Sequence, residues 1–376
     1  MGACSRHFKK AWVRGIVILI YIFFASALLT GFLLPPGKPE RFMKLVGNYW
    51  LGVMAYIILT IVIADIGRVI LHRIPRIDQV KLRSRKTFVL TGTACILIIS
   101  AVSIWGAVNA RIVRTTDYEV TIEKEVEGKK ELNVVLAADL HLGYNIGSRH
   151  MQRMVNKINA KDADLVVIAG DIFDNSYESL DDPKRLVSIL KSIKSKYGVY
   201  ACYGNHDIEE KILAGFTFNK KGEKKVSDIR MDELLQKADI TLLQDESVLI
   251  DDSFYLYGRP DYQKPGRGIE KRKTPEEITA DMDQSKPIIV IDHQPRELKE
   301  LADAGVDLDL SGHTHDGQMF PGNLTIKLLW ENACGYLKKG DMHNIVTSGV
   351  GLFGPNMRVG TKAEICSIKV RFDADR

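Results

Sequence analysis

The chain has 376 residues, 45% of them hydrophobic, with 52 Lys+Arg, 47 Asp+Glu and a formal net charge of +5 at pH 7. Residues 1–114 carry 16 basic and 3 acidic side chains, a net of +13, which leaves −8 on the remaining 262. The acidic back part argues against nucleic-acid binding there, because phosphate backbones are gripped by clustered Lys and Arg, and the apolar front part excludes an ordinary soluble protein.

Three apolar runs, Gly15–Leu34, Leu45–Ala64 and Phe88–Val108, contain no charged residue. Twenty helical residues at about 1.5 Å each span roughly the 30 Å of a bilayer's hydrocarbon core. The runs predict a membrane domain over residues 1–109 with three transmembrane helices, at about 15–34, 45–64 and 88–108. Arg6, Lys9, Lys10 and Arg14 precede the first run, and Lys38, Arg41 and Lys44 follow it. The second loop carries Arg68, Arg73, Arg76, Lys81, Arg83, Arg85 and Lys86. The start of the chain and the second loop share a side and hold most of these charges, so that side is expected to be cytoplasmic. Three crossings then place everything after about Asn109 on the extracytoplasmic face of a cell membrane. Trp12, Tyr49, Trp50 and Trp105 lie near span ends, where interfacial aromatics gather. The spans lack the paired charges of a channel or transporter.

Residues 110–130 read as a juxtamembrane segment with an edge strand at Tyr118–Ile122. From 131 to 376, short β-rich runs alternate with helical patterns. Strands are expected at Leu132–Ala137, Asp164–Ala169, Val199–Tyr203, Thr241–Leu243, Phe254–Gly258, Pro287–Ile291, Val306–Leu310, Asn344–Ser348 and Ile365–Val370. Helices are expected at Arg149–Ala160, Pro183–Ser195, Met231–Lys237 and Arg296–Ala304. This is a layered α/β architecture. The five cysteines show no CxxC spacing and an odd count, so no disulfide framework is expected. The lysine-rich stretch Asn219–Ser227 reads as an exposed loop.

The chemistry sits directly after apolar strands. Asp139-Leu140-His141, Gly170-Asp171, Gly204-Asn205-His206-Asp207, Asp292-His293 and Gly312-His313-Thr314-His315 each follow such a run. Functional groups gather at the carboxyl ends of strands in open α/β sheets. A one-residue gap puts Asp139 and His141, or His313 and His315, on the same side of an extended segment. Imidazole, carboxylate and amide oxygen without thiolate suit Mn²⁺, Fe²⁺ or Zn²⁺ rather than a structural zinc site. The donors are too many for one tetrahedral ion, and two ions sharing a carboxylate use them all. Such a pair clamps both sides of a phosphoryl transfer and activates water near neutral pH.

This ordered set, with Gly170-Asp171-Ile172-Phe173-Asp174 in full, resembles the calcineurin-like metallophosphoesterase superfamily from roughly Asn133 to Val370. The ending, Gly349-Val350-Gly351 through Arg358 to Glu364-Ile365, with Gly317-Gln318 after the last histidine pair, is similar to the membrane-anchored YkuE-type branch. That branch includes transmembrane proteins with a metallophosphoesterase domain and enzymes that hydrolyse UDP-2,3-diacylglucosamine. The resemblance implies a layered αββα metallophosphoesterase domain after the three transmembrane helices, and two divalent transition-metal ions (Mn, Fe or Zn). It implies Asp139, His141 and His315 on the first ion, Asn205, His293 and His313 on the second, and Asp171 bridging the two. His206 becomes the catalytic histidine beside the leaving-group oxygen. Asp174 and Asp207 become groups that orient it and the ligands, with a purely turn-forming role open for both. Protein phosphatases of the superfamily have Asp-Arg-Gly where this chain has Asp174-Asn175-Ser176, and Glu where it has Asp207. Their phosphate-gripping arginine is therefore absent. Asp316 stands where the branch often has Gly. Arg358 is expected on the surface, with substrate phosphate as the alternative.

The expected activity is hydrolysis of a phosphodiester or pyrophosphate bond in a substrate at or near a bilayer. Lipid pyrophosphates such as UDP-2,3-diacylglucosamine and envelope polymer phosphodiesters are the two candidate classes. The extracytoplasmic placement fits the second better, since nucleotide-linked lipids normally face the cytoplasm. Pro321–Gly340, with Leu324, Ile326, Leu328, Leu329, Trp330, Lys327, Lys338 and Lys339, reads as core packing or as a lipid-touching segment. Phe216 and Phe218 raise the same question. The competing reading is a non-catalytic membrane scaffold that keeps the fold, although such proteins usually lose ligands and this sequence keeps all seven and His206.

Overall fold

The computed structural model describes residues 11–210, 212–213, 216–217 and 227–373, the last two short pairs by their backbone. Arg6, Lys9, Lys10, Phe218 and the lysines of 219–226 lie outside the described residues. The chain divides into two compact units, Met1–Ala107 with Gly354–Met357, and Val108–Phe353 with Arg358–Arg376.

The first unit is built from α1 (Ala11–Leu33), α2 (Lys38–Arg73) and α3 (Arg85–Asn109), each long and apolar enough to cross a membrane. Pro35 and Pro36 cannot continue α1, and Pro39 with its preset φ opens α2. Gly37 N–H there donates to Glu40 Oε2 (3.3 Å). α1 and α2 approach closely, since a Cβ on Gly47 would lie 2.9 Å from Leu28. Trp50 packs its ring on Tyr21 and Phe24. α2 runs on past Ala64 to Arg73, so Arg68 and Arg73 are helical rather than in a loop. Nothing stops the helix before Ile74, which Pro75 forces out of the helical region.

In the second unit β1 (Val113–Ile122), β2 (Glu131–Ala137), β3 (Leu165–Ala169), β4 (Val199–Cys202), β5 (Ile240–Leu242) and β12 (Ala363–Phe372) form one sheet, ordered β1-β12-β2-β3-β4-β5. β6 (Glu246–Ile250), β7 (Phe254–Gly258), β8 (Ile288–Ile291), β9 (Leu308–Ser311), β10 (Gly335–Lys339) and β11 (Met342–Val346) form the other, ordered β10-β11-β9-β8-β7-β6. β2, β3, β4 and β5 run parallel in the first, and β7, β8, β9 and β11 in the second. The edge strands β6 and β10 were not expected. Each is a half-exposed antiparallel edge without a buried apolar run to announce it.

Period-2 alternation sorts β2 between two cores. Leu132, Val134 and Leu136 pack between the sheets with Leu256, Ile289, Ile291, Leu308 and Leu310. Val135 and Ala137 face α4 (Ser148–Asn159), α5 (Pro183–Lys191) and α6 (Ile229–Lys237). α4 buries Met151, Met154, Val155 and Ile158 at helical spacing. Ile288, Val290 and Tyr257 cover the outer face of the second sheet with α7 (Leu298–Asp303). The layers are thus helix, sheet, sheet, helix. α5 ends at Lys191, short of the expected Ser195, because the Asn159 amide takes Ser192 O and Lys194 N (2.8 Å each). Cys95, Cys202, Cys334 and Cys366 are free thiols.

Candidate metal centre

β2, β3, β4, β8 and β9 all deliver their carboxyl ends to one place. The chain leaves them in sharp turns. Asp139 (φ 53°), His141 (46°), Asp171 (49°), His313 (71°) and His315 (51°) adopt left-handed backbone. That conformation costs a non-glycine residue about 1 kcal/mol, and hydrogen bonds between the turns hold it. Asp139 N–H donates to Gly170 O (3.0 Å), His141 N–H to Asp171 O (2.9 Å) and Gly312 N–H to His293 O (3.1 Å). Gly170 combines φ 75° with close approach, for a Cβ there would lie 2.6 Å from His293 Nδ1.

Of three donor groups, one holds Asp139, His141 and His315 and another Asp171, His293 and His313, while the third sets His141 with Asp174 and His206. His141 Nε2 lies 3.0 Å from His315 Nε2, and His315 Nε2 lies 3.9 Å from Asp139 Oδ1. His293 Nε2 lies 3.0 Å from His313 Nδ1 and 3.1 Å from Asn205 Oδ1. Asp171 joins the first two groups, with Oδ2 3.7 Å from His141 Nε2 and 3.3 Å from His293 Nε2. Asp139, His141, Asp171, His293 and His315 are buried, whereas Asn205, His206 and His313 are partly exposed and form the open side.

The proton inventory suits a cation. Ala169 O can only accept, so His293 Nδ1 donates to it (3.0 Å), and its Nε2 faces the Asn205 amide oxygen, the Asp171 carboxylate and His313 Nδ1. Acceptors facing acceptors in a buried site need a proton or a cation between them. Burial and the charge of His293 push His313 down to about 3. Burial, then His141 and Arg358, hold His315 well below the usual imidazole range. Both rings therefore keep free lone pairs. For His293 burial pulls the same way, but the Asp171 carboxylate outweighs it and favours positive charge at that spot. Burial lifts Asp139 to about 6. Donor types and positions fit divalent transition metals.

His206 stands beside the first two groups. Its ring lies 5.2 Å from that of His141, its backbone N–H donates to Asp171 Oδ1 (2.7 Å), and burial depresses its pKa to about 4. Its Nδ1 is hydrogen-bonded to Asn175 Oδ1. The Asn175 amide nitrogen donates to Ile208 O (3.0 Å), which turns the amide oxygen toward the ring and leaves Nε2 outside this pairing. Sequence reasoning passed over Asn175 except as a missing arginine; its partner lies 31 residues away, so no local signal marks it. Asp207 accepts from Phe173 N–H and Gly204 N–H (2.7 Å each), tying two of the turns together. Asp174 Oδ1 lies 3.8 Å from His141 Nδ1.

Arg358 is not on the surface. It is fully buried, and its Nη2 donates to Ser348 O (2.7 Å), Gly351 O (2.9 Å) and Gly349 O (3.1 Å), with His315 O 3.4 Å from Nη1. The core-packing reading of Pro321–Gly340 also fails, because Leu324, Leu328 and Leu329 are 56%, 84% and 77% exposed. His150 and His343 stay outside the cluster, bonded to Val350 O and Thr121 O.

Known proteins are similar to this chain over most of its length. A transmembrane protein with a metallophosphoesterase domain from Danio rerio is 29% identical over 96% of this chain and 81% of its own length. A metallophosphoesterase of Campylobacter jejuni is 29% identical over 73% of this chain and 68% of its own. The UDP-2,3-diacylglucosamine pyrophosphatase LpxG of Chlamydia trachomatis is 22% identical over 76% of this chain and 98% of its own. The family model for calcineurin-like phosphoesterases matches residues 132–317, from the second residue of β2 to two residues beyond His315. All eight converging side chains fall inside that match to the calcineurin-like phosphoesterase family.

Proposed function

We propose that this chain is a membrane-anchored, dinuclear-metal hydrolase of phosphodiester or pyrophosphate bonds in lipid-linked substrates. The observation that carries the reading is the convergence of seven donors from five strand ends, bridged by Asp171. Asp139, His141 and His315 hold one ion, Asn205, His293 and His313 the other, and Asp171 both. Bound there, two divalent ions supply neutralisation of phosphoryl charge and activation of water near neutral pH. His206 works at Nε2. With Nδ1 engaged by Asn175, a proton acquired at Nε2 as the anionic substrate arrives is the one handed to the leaving oxygen. Asp207 keeps the turns bearing Asp171 and Asn205 in register.

Residues 1–109 act as the membrane domain, 110–130 as the juxtamembrane segment and 131–376 as the catalytic domain, on the extracytoplasmic side. Two observations support a lipid-linked substrate. The exposed Leu324, Leu328 and Leu329 run directly into Trp330, whose ring lies 5.1 Å from that of His313. A relative is named for a diacylated sugar nucleotide. Manganese is the first metal to try, and nucleic acid is not an expected partner.

The test is hydrolysis of bis-p-nitrophenyl phosphate by the purified full chain, with metal content measured in parallel. Wild type turns over with about two ions per chain. Asp171→Asn loses metal and nearly all activity, whereas His206→Ala loses rate and keeps its metal. Wild-type protein with neither metal nor hydrolysis refutes the enzyme reading in favour of a scaffold. His206→Ala protein as fast as wild type refutes the role of His206.

A further inference from the structure

Arg296 lies three residues past His293 and is partly exposed. Its Nε donates to Gln294 Oε1 (2.9 Å). Its guanidinium carbon sits 4.5 Å from the ring centre of Trp330 and 5.2 Å from that of Tyr262. Trp330 in turn packs edge-on against His313. The cation is close enough to His313 to help keep that ring neutral.

Two neighbouring arginines behave differently. Arg259 and Arg272 are buried and bonded to Asp292 and Glu297 (2.6–3.0 Å). Those carboxylates are thereby used up. Among the described residues, Arg296 has no carboxylate within ion-pair distance, and neither of its Nη atoms has a hydrogen-bond partner. Two rings and a neutral amide fix the plane of the guanidinium without cancelling its charge. A guanidinium fixed in this way has already lost much of its rotamer freedom, and its free edge matches two oxygens of a phosphate.

We propose that Arg296, braced by Trp330, Tyr262 and Gln294, binds a second anionic phosphate of the substrate, adjacent to the phosphorus attacked at the metal centre. The preferred substrate is then a pyrophosphate diester rather than a single phosphodiester. This rests on the phosphoesterase reading above and narrows it. The arginine missing after Asp174 is replaced in role by one from another loop.

The test follows bis-p-nitrophenyl phosphate hydrolysis by metal-loaded full chain while UDP-N-acetylglucosamine, a soluble pyrophosphate diester, competes. Competition reads binding whether or not the competitor is cleaved. Arg296→Gln should raise the Ki of UDP-N-acetylglucosamine at least tenfold, against a change in KM for bis-p-nitrophenyl phosphate at least five times smaller. Arg296→Lys should restore part of the loss. Titration calorimetry with UDP-N-acetylglucosamine gives the same comparison without turnover. A Ki and Kd unmoved by Arg296→Gln, equal shifts for both ligands, or no binding of UDP-N-acetylglucosamine to wild type overturns the proposal. Failure of wild type to hydrolyse bis-p-nitrophenyl phosphate defeats the phosphoesterase reading instead and leaves the calorimetric comparison in force.

Discussion

Replacing Arg358 with leucine separates a buried strut from a substrate-gripping side chain. In the structure the guanidinium satisfies three carbonyls of residues 348–351 at 2.7–3.1 Å. Hydrogen bonds from a charged donor are worth about 1.5–3 kcal/mol each, so the two N–H groups of Nη2, shared among these carbonyls, and the one of Nη1 on His315 O contribute roughly 4–9. Against them stands the cost of burying the charge. Burial pushes the guanidinium from 12.5 down to about 10, which is worth about 3 kcal/mol. The bonds win, and Arg358→Leu should destabilise the unit by about 3 kcal/mol. For a unit of this size that is about 10 °C in Tm. The loop it holds touches the metal centre: Gly351 N–H donates to Asp139 O (2.7 Å), and a Cβ on Gly349 would lie 2.7 Å from Asp139. Metal content should therefore fall with Tm. Arg358→Lys should rescue little, since an ammonium cannot reproduce the fork geometry. The measurements are thermal unfolding of the detergent-solubilised chain and metal analysis. A raised KM with unchanged Tm and metal content in both variants would refute the strut and restore the phosphate-binding alternative.

Asn175→Gly keeps the left-handed backbone (φ 59°) and removes the acceptor for His206, so kcat should fall about 10–100-fold with metal content unchanged, as steady-state kinetics and metal analysis will read. Asn175→Asp adds a negative charge beside the imidazole and favours its protonated form, which should move the limb of the kcat–pH profile that reports His206 upward by about 1–3 pH units; an unmoved limb counts against the pairing. Asp309 is buried, with Oδ2 bonded to Ser311 and Asn344 and Oδ1 without a partner, and burial followed by the charge of Asp292 lifts it to about 7. A raised carboxyl favours the folded state in its protonated form, so that stability is complete below about 3.8 and is lost as pH climbs to about 7, by on the order of 4 kcal/mol. Asp309→Asn should thus gain Tm over wild type increasingly from pH 5 to pH 8, and a gap that does not change with pH contradicts the assignment.

What the sequence made legible divides by how local each signal is. Asp139, His141, Asp171, Asn205, His206, His293, His313 and His315 each follow an apolar strand within a few residues, so both the element and the donor type can be read in a short window. The spans of α1 to α3 and the alternation of β2 are local in the same sense. The misses are set by partners far away in the chain. A lone arginine defaults to the surface, and only the turn at 348–351 and His315, 43 residues away, give Arg358 acceptors enough to outweigh burial. Asn175 finds His206 only after β3 and β4 pair. The apolar run of 324–330 looks like core because hydrophobicity says nothing about which side of a short helix has a neighbour. The same reasoning bears on the choice between structural and functional roles. A buried cation whose outer nitrogens are tied to several backbone acceptors has committed that end to the fold, as Arg358 has. Arg296 carries equal charge with its outer edge unspent, and it sits across Trp330 from the partly exposed His313 on the open side of the cluster. A substrate phosphate arriving there meets Arg296, while Arg358 can act on it only through His315 and the loop it holds in place.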